Sequence, residues 1–459
     1  MQRLLAIAWL TLKAAFRFRL VAVLSIILLG GVIILPLIIK DDGTARGFTQ
    51  ILLTYTLTLI TALLGFATLW LSCGTLARDV EEAQIQMVAV KPVARWQIWL
   101  GKWLGVLVLD AFLLTLSAGA VFFLMQWRAR NLPPEQQSIL RNEVLVARGS
   151  AKEPIPDLAA VVEEELKRRE KANPIAVTDR AFIRKQIREQ LKAGSQIVPP
   201  DHRREWKIDL GQAKDSLRDQ PLYFRVRFNV AQATPSRTYL GEWRVGEFTS
   251  PLLYTTNMSL AAETFHEFAV PSSLLSPDGI LTINFINRNE TAMLFPVEDG
   301  MEVLYRESSF GLNYIRGVSI IFFWLALLAA LGLAAASFLS FPVAAFFSLG
   351  VLAVGLSSGT VSLVLEQGTV FEVNHETGVA DNPALLDYVA LPIFRVLQKL
   401  INMVQGFSPI DSLSTGRSIT WGQLSLAFAE ICLVLSGILC AIGMAIFTRR
   451  ELASAQTNH

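Results

Sequence analysis

The sequence predicts a polytopic α-helical membrane protein of six transmembrane helices, with an inserted α+β extracytoplasmic region containing a jelly-roll-like β-sandwich. Three observations predict it. Hydrophobic residues make up 52% of the 459 and charged residues only 17%, against about 25% in soluble domains; mean hydropathy is +0.43. The missing charge is concentrated in apolar runs near the roughly 20 residues that a helix needs to cross a bilayer. Between the third and fourth runs lies a long polar stretch. Its pattern changes halfway from helical spacing to two-residue alternation.

Taken in order, residues 1–19 read as an amphipathic interfacial helix, with Arg3, Lys13 and Arg17 on the polar side. The segment does not read as a signal peptide, because its basic residues are interspersed and no cleavage site follows. Residues 20–127 carry spans one to three, at about Leu20–Ile39, Thr49–Cys73 and Leu100–Trp127, with a loop over 74–100. Residues 128–205 form a helical region. "DLAAVVEEELKRREKAN" has acids early and bases late, as a helix dipole favours. "TDRAFIRKQIREQLKAG" opens on a Thr/Asp cap and ends in Gly.

Residues 206–316 hold the sandwich. "LYFRVRFNV", "RTYLGEWRV", "FHEFAV", "GILTINFIN" and "MEVLYRE" alternate with period two between turn residues. Spans four and five occupy 317–365, at about Gly317–Phe338 and Pro342–Leu365. Residues 366–420 make an outer loop. Within it "NPALLDYVALPIFRVLQKLINMVQGF" is amphipathic and interrupted by Pro392, as in a re-entrant or surface helix. Residues 421–459 supply the sixth span, about Trp421–Phe447, and a tail.

Lys and Arg in the short flanks set the orientation. Lys13, Arg17 and Arg19, then Arg78, Lys91, Arg95 and Lys102, then Arg449 and Arg450 fall on one side of a six-span chain. That side is the cytoplasmic one, so both termini are expected inside and 128–316 outside. The basic residues are placed by topology, and no nucleic-acid partner is expected.

Motifs for chemistry are mostly missing. The chain contains no G-x-x-x-x-G-K-[ST], G-x-S-x-G, H-E-x-x-H or C-x-x-C. No catalytic residue, metal ligand or cofactor is expected in it. His266, between Glu263 and Glu267, sits where strand alternation would scatter the three. Cys73, Cys432 and Cys440 lie in apolar runs and frame no disulfide. "NMS" at Asn257 and "NET" at Asn289 match a short, common glycosylation pattern. Two carboxylates do fall inside spans, Asp110 in the third and Glu430 in the sixth. Such groups usually face a bundle interior or wet cavity, which makes them candidates for a translocation path.

The loop "ARDVEEAQIQMVAVKPVARWQIWLGKWLG" and the terminus "IFTRREL" carry a resemblance. With six spans, they are similar to the permease subunits of ABC-2 type ABC transporters. The matching residues are Glu81, Glu82, Lys91, Pro92, Arg95, Gly101 and Lys102, then Phe447, Arg449, Arg450 and Glu451. The resemblance implies a bacterial inner-membrane permease that moves a substrate, outward by expectation. It also implies a separate ATPase subunit that binds ATP and Mg, and a second permease chain. A helix over 77–90, stopped by Pro92, would dock on that ATPase through Asp79, Glu81, Glu82, Gln84, Lys91, Pro92 and Arg95. Gly101, Lys102, Arg449 and Arg450 would anchor the spans at the lipid boundary.

The long outer insertion departs from a minimal family member. Its "VPSSLLSPDGILTINFIN" resembles the closing strands of a galactose-binding-like jelly roll, which would suit a glycan or periplasmic protein partner. Two rival expectations follow. One is a membrane-anchored glycan- or protein-binding module. The other is an ABC membrane subunit that transmits motion to periplasmic partners without transport.

Overall fold

The computed structural model describes residues 2–17, 20–38, 44–82, 93–130, 132–140, 144–154, 157–172, 180–211, 217, 220–230, 238–247, 253–297, 299–370 and 386–450. The chain divides into two compact units, Met1–Val146 with Ser309–His459, and Ala147–Ser308.

The first unit is helical. It opens with α1 (Gln2–Arg17), α2 (Leu20–Ile38), α3 (Ala45–Glu81), α4 (Arg95–Ala129) and the short α5 (Pro134–Ile139). The second unit contributes α6 (Ala159–Ala172) and α7 (Arg180–Gln196). The first then resumes with α8 (Phe310–Ala336), α9 (Phe341–Leu356), α10 (Ser358–Gln367), α11 (Asp387–Gln405) and α12 (Pro409–Ser414). The final helix runs from α13 (Trp421–Ala427) through π-helical turns at Phe428–Ser436 into α14 (Gly437–Arg449).

Among the described residues, four helices are long and apolar enough to cross a membrane: Gly47–Glu81, Arg95–Ala129, Phe310–Ala336 and Trp421–Arg449. Phe341–Leu356 and Ser358–Leu365, bent by 60°, make a fifth if counted together. In α2 the apolar helix found is Ala22–Leu35, shorter than a span. The expectation of six becomes four or five by length and composition. Phe346 at 81% exposure, Phe123 at 73% and Ile26 at 71% face outward where a soluble helix would carry charge. The chain is a membrane protein.

The bundle core joins Leu53, Leu57 and Leu64 of α3 to Leu109 and Val121 of α4, Ile321 and Leu325 of α8, and Ile431. Close packing relies on small residues, as expected where lipid offers no hydrophobic drive between helices. Gly332 of α8 is one such place: a Cβ there would meet the Ser72 hydroxyl at 2.8 Å.

Two expectations change. α3 is 37 residues long, about 55 Å at 1.5 Å per residue, so it overshoots the bilayer core. Ala77–Glu81 are therefore its last turns and do not begin a separate loop helix; Gln84, Lys91 and Pro92 lie outside the described residues. Pro392 does not interrupt α11 either. It sits in the second turn of a continuous helix, where proline removes a single backbone donor.

The second unit pairs two four-stranded antiparallel sheets. One has the order β1 (Val146–Lys152), β11 (Met301–Ser309), β4 (Leu222–Val226), β8 (His266–Val270). The other has β3 (Arg203–Asp209), β9 (Ile280–Asn287), β6 (Thr238–Val245), β7 (Tyr254–Ala261). Three short strands, β2 (Ile197–Val198), β10 (Met293–Leu294) and β5 (Asn229–Val230), form a third sheet. Alternation sends Phe224 and Val303 from one large sheet, and Trp206, Trp243 and Phe285 from the other, into one shared core. β1 falls in the stretch expected to be helical. On the other face of its sheet, Arg225 stands opposite Glu302 on one side and Glu267 on the other. These pairs are buried: Arg225 reaches Glu302 at 3.0 Å and Glu267 at 3.5 Å, and Arg148 reaches Glu267 at 2.6 Å.

Candidate functional site

The loop singled out by the sequence leaves the bundle at Glu82 and returns at Val93. The residues at both shoulders are tied into the helix bundle.

On the leaving side, Asp79 and Glu81 belong to the last turn of α3. Asp79 accepts from the Lys102 ammonium at 2.5 Å, and the same ammonium donates to the Thr75 carbonyl at 2.6 Å. Lys102 is buried. A carboxylate one helix away holds its ammonium inside the bundle. Glu81 accepts from the Phe341 backbone N–H at 2.8 Å. The N-cap residue of α9, Ser340, makes no side-chain cap, so Glu81 satisfies one of the open donors at that positive helix end. Arg78 lies over the Phe341 ring at 4.3 Å, and Trp70 meets that ring edge-on at 5.0 Å. Glu82 is exposed.

On the returning side, Arg95 opens α4. One of its nitrogens donates to the carbonyls of Thr448 and Arg450, at 2.8 and 2.7 Å. These are open acceptors at the end of the last helix. Arg450 in turn donates to the Ser337 carbonyl at 3.1 Å. Trp99, one turn on from Arg95, donates its indole N–H to the Ser337 hydroxyl at 3.0 Å. Gly443 admits that indole, since a Cβ there would come within 2.8 Å of it. Gly101 lets α4 approach α1 closely: a Cβ there would meet Ile7 at 2.7 Å. Arg449 is exposed, in a groove with Trp96 and Met444.

Seven predicted residues, Asp79, Glu81, Arg95, Gly101, Lys102, Arg449 and Arg450, thus gather at one end of the bundle, six of them in specific contacts. The sequence reading missed Trp99, Ser337 and Phe341. Their partners are far away in the chain, and no local spacing marks them.

Asp110 and Glu430 do not meet. Asp110 is buried between α3 and α4, where one oxygen accepts from Thr68 at 2.8 Å and the other has no hydrogen-bond partner. Glu430 lines a separate cavity with α11. Among the described residues, no group of three or more His, Cys, Asp or Glu could hold a metal ion. Comparison of the chain with family models, curated proteins and solved structures gave no match.

Proposed function

We propose that the chain is the permease subunit of an ABC-2 type ABC transporter in a bacterial inner membrane. In this reading α2 and the bent pair α9–α10 complete a set of six spans, and both termini are cytoplasmic. The sheets of the second unit form a jelly-roll sandwich on the outer side. The chain hydrolyses no ATP. A separate ATPase docks on the loop between α3 and α4, and a second permease chain completes the path.

The observation that carries this reading is the double tether of the loop. Glu81 couples its exit to the start of α9, and Arg95 couples its return to the end of α14. A push on the loop would reach several helices at once instead of flexing a slack connector. That is what a site receiving force from another subunit needs if it is to bias the bundle between two states.

The test is purification of the tagged chain from its native membrane in mild detergent. An ATPase with a Walker A motif is expected to co-purify, and Glu82→Lys is expected to weaken its retention. Glu82 suits this better than Glu81, because it is exposed and does not cap α9. A preparation that never retains an ATPase removes the transporter reading. A second reading, motion transmitted to a periplasmic partner, is favoured by the inserted unit having its own large aromatic core. Accumulation of cargo in vesicles would exclude it.

A further inference from the structure

Away from the loop, α10, α11 and the π-helical turns line an open cavity of about 460 Å³. Arg395, Gln398, Lys399 and Asn402 line it from α11, and Glu430 from the π-helical turns. The four α11 residues follow helical spacing and form one polar stripe. Gln398 donates its amide N–H to Asn402 at 2.9 Å, and its Oε1 is buried without a donor. Among the described residues, Arg395, Lys399 and Glu430 form no ion pair.

The cavity therefore offers two cations, and also two acceptors with nothing to accept from. Glu430 stands in an apolar helix, where an ionisable group without a partner is costly. It also stands in π-helical geometry, which recurs at functional sites. The opposite side of α11 is apolar and open, with Val389 at 65%, Ile393 at 60% and Val396 at 62% exposure. A helix of this kind lies along a membrane interface with its apolar face in the acyl region. The polar stripe is then at headgroup depth.

We propose that this cavity binds the headgroup of a zwitterionic aminophospholipid. The phosphate lies against Arg395 and Lys399, and the ammonium donates to Glu430 and to Gln398 Oε1. Other headgroups fit less well. A glycerol headgroup brings no cation to Glu430. A trimethylammonium group has no N–H for Gln398. Inorganic phosphate satisfies the cations but leaves both acceptors unfilled. The assignment does not depend on an ATPase partner.

The test uses the full chain, purified and delipidated, then exposed to equal amounts of phosphatidylethanolamine, phosphatidylcholine and phosphatidylglycerol. Retained lipid is read by native mass spectrometry. Phosphatidylethanolamine is expected to be retained about tenfold over the other two, the scale of one hydrogen bond to a charged group. Glu430→Gln is expected to abolish that preference while phosphatidylglycerol binds as before. Arg395→Gln with Lys399→Gln is expected to weaken both. The comparison on the unaltered chain needs no variant to fold. Equal retention of the three lipids overturns the proposal. So does a phosphatidylglycerol preference that Glu430→Gln leaves unchanged, or displacement of bound lipid by inorganic phosphate.

Discussion

Arg95 and Arg450 form a chain of caps: Arg95 donates to the Arg450 carbonyl at 2.7 Å, while the Arg450 side chain donates to the Ser337 carbonyl at 3.1 Å. Three helix ends are fixed by two guanidinium groups. Removing Arg95 leaves the Thr448 and Arg450 carbonyls open. Arg95→Ala is expected to cost about 1–3 kcal/mol, as hydrogen bonds to charged groups do. Arg95→Lys is expected to recover only part, because an ammonium lacks the planar fork. Thermal melting in detergent checks both, and hydrogen exchange should rise over residues 440–450.

The pair Lys102–Asp79 is asymmetric in burial, the lysine side chain being 9% exposed and the aspartate 34%. Loss of the lysine charge leaves a carboxylate that water can still reach. Loss of the carboxylate charge leaves a buried ammonium with only neutral oxygens, such as the Thr75 carbonyl, to donate to. Asp79→Asn is therefore expected to destabilise more than Lys102→Met. The larger loss should approach the roughly 3 kcal/mol typical of an uncompensated buried charge. The reverse order in melting experiments would refute this account of the pair.

In the sheet unit, Glu302 accepts from Arg225 at 3.0 Å and from the Ser150 hydroxyl at 2.7 Å. Its side chain is 1% exposed. Glu302→Leu strands part of the Arg225 charge and is expected to cost about 3–5 kcal/mol. Replacing Arg225 as well, by Met, is expected to restore stability in part, since the second change removes the stranded charge. Protease resistance of residues 222–270 in the full chain reports on both variants.

Glu242 gives a pH dependence. Its hydrogen bonds from Arg244, with Arg288 beside it, hold the carboxyl below its ordinary value, about 4.3 in an unfolded chain. A carboxyl lowered by folding adds stability above its unfolded value and loses it as pH falls through the folded one. Glu242→Gln should thus be less stable than the parent near neutral pH. The difference should shrink as pH drops below about 4. Hydrogen exchange over β6 and β7, compared pairwise at each pH, measures it.

Much of the architecture was legible. Strands with clean alternation, such as "LYFRV" and "ILTINFIN", fall where the pattern put them, because alternate residues feed the core. β3 and β7 were not picked out. "RREWKID" buries only Trp206 and Ile208 among charges, and "YTTNMSLA" presents polar residues on both faces. The candidate site was legible as a stretch but not as geometry. Arg95 and Lys102 read as boundary charges, and their partners emerge only when α14 and α3 are brought beside α4. The stripe Arg395, Gln398, Lys399, Asn402 was visible at helical spacing.

The π-helical turns at Phe428–Ser436, where the Ser436 hydroxyl donates to the carbonyl five residues back at 2.8 Å, separate two quantities usually locked together in a span. Residue count and rise no longer correspond, because each turn holds more chain than an α-turn would. The stretch can therefore lose one residue, Leu433 for instance, and close into ordinary turns. The flanking seats, the Thr420 cap and Gly443 against Trp99, need not move. Only the side chains between them would be re-aimed, Glu430 first. The last helix thus carries an adjustable segment in its middle, where a single insertion or deletion changes which residue faces the cavity without shortening the span.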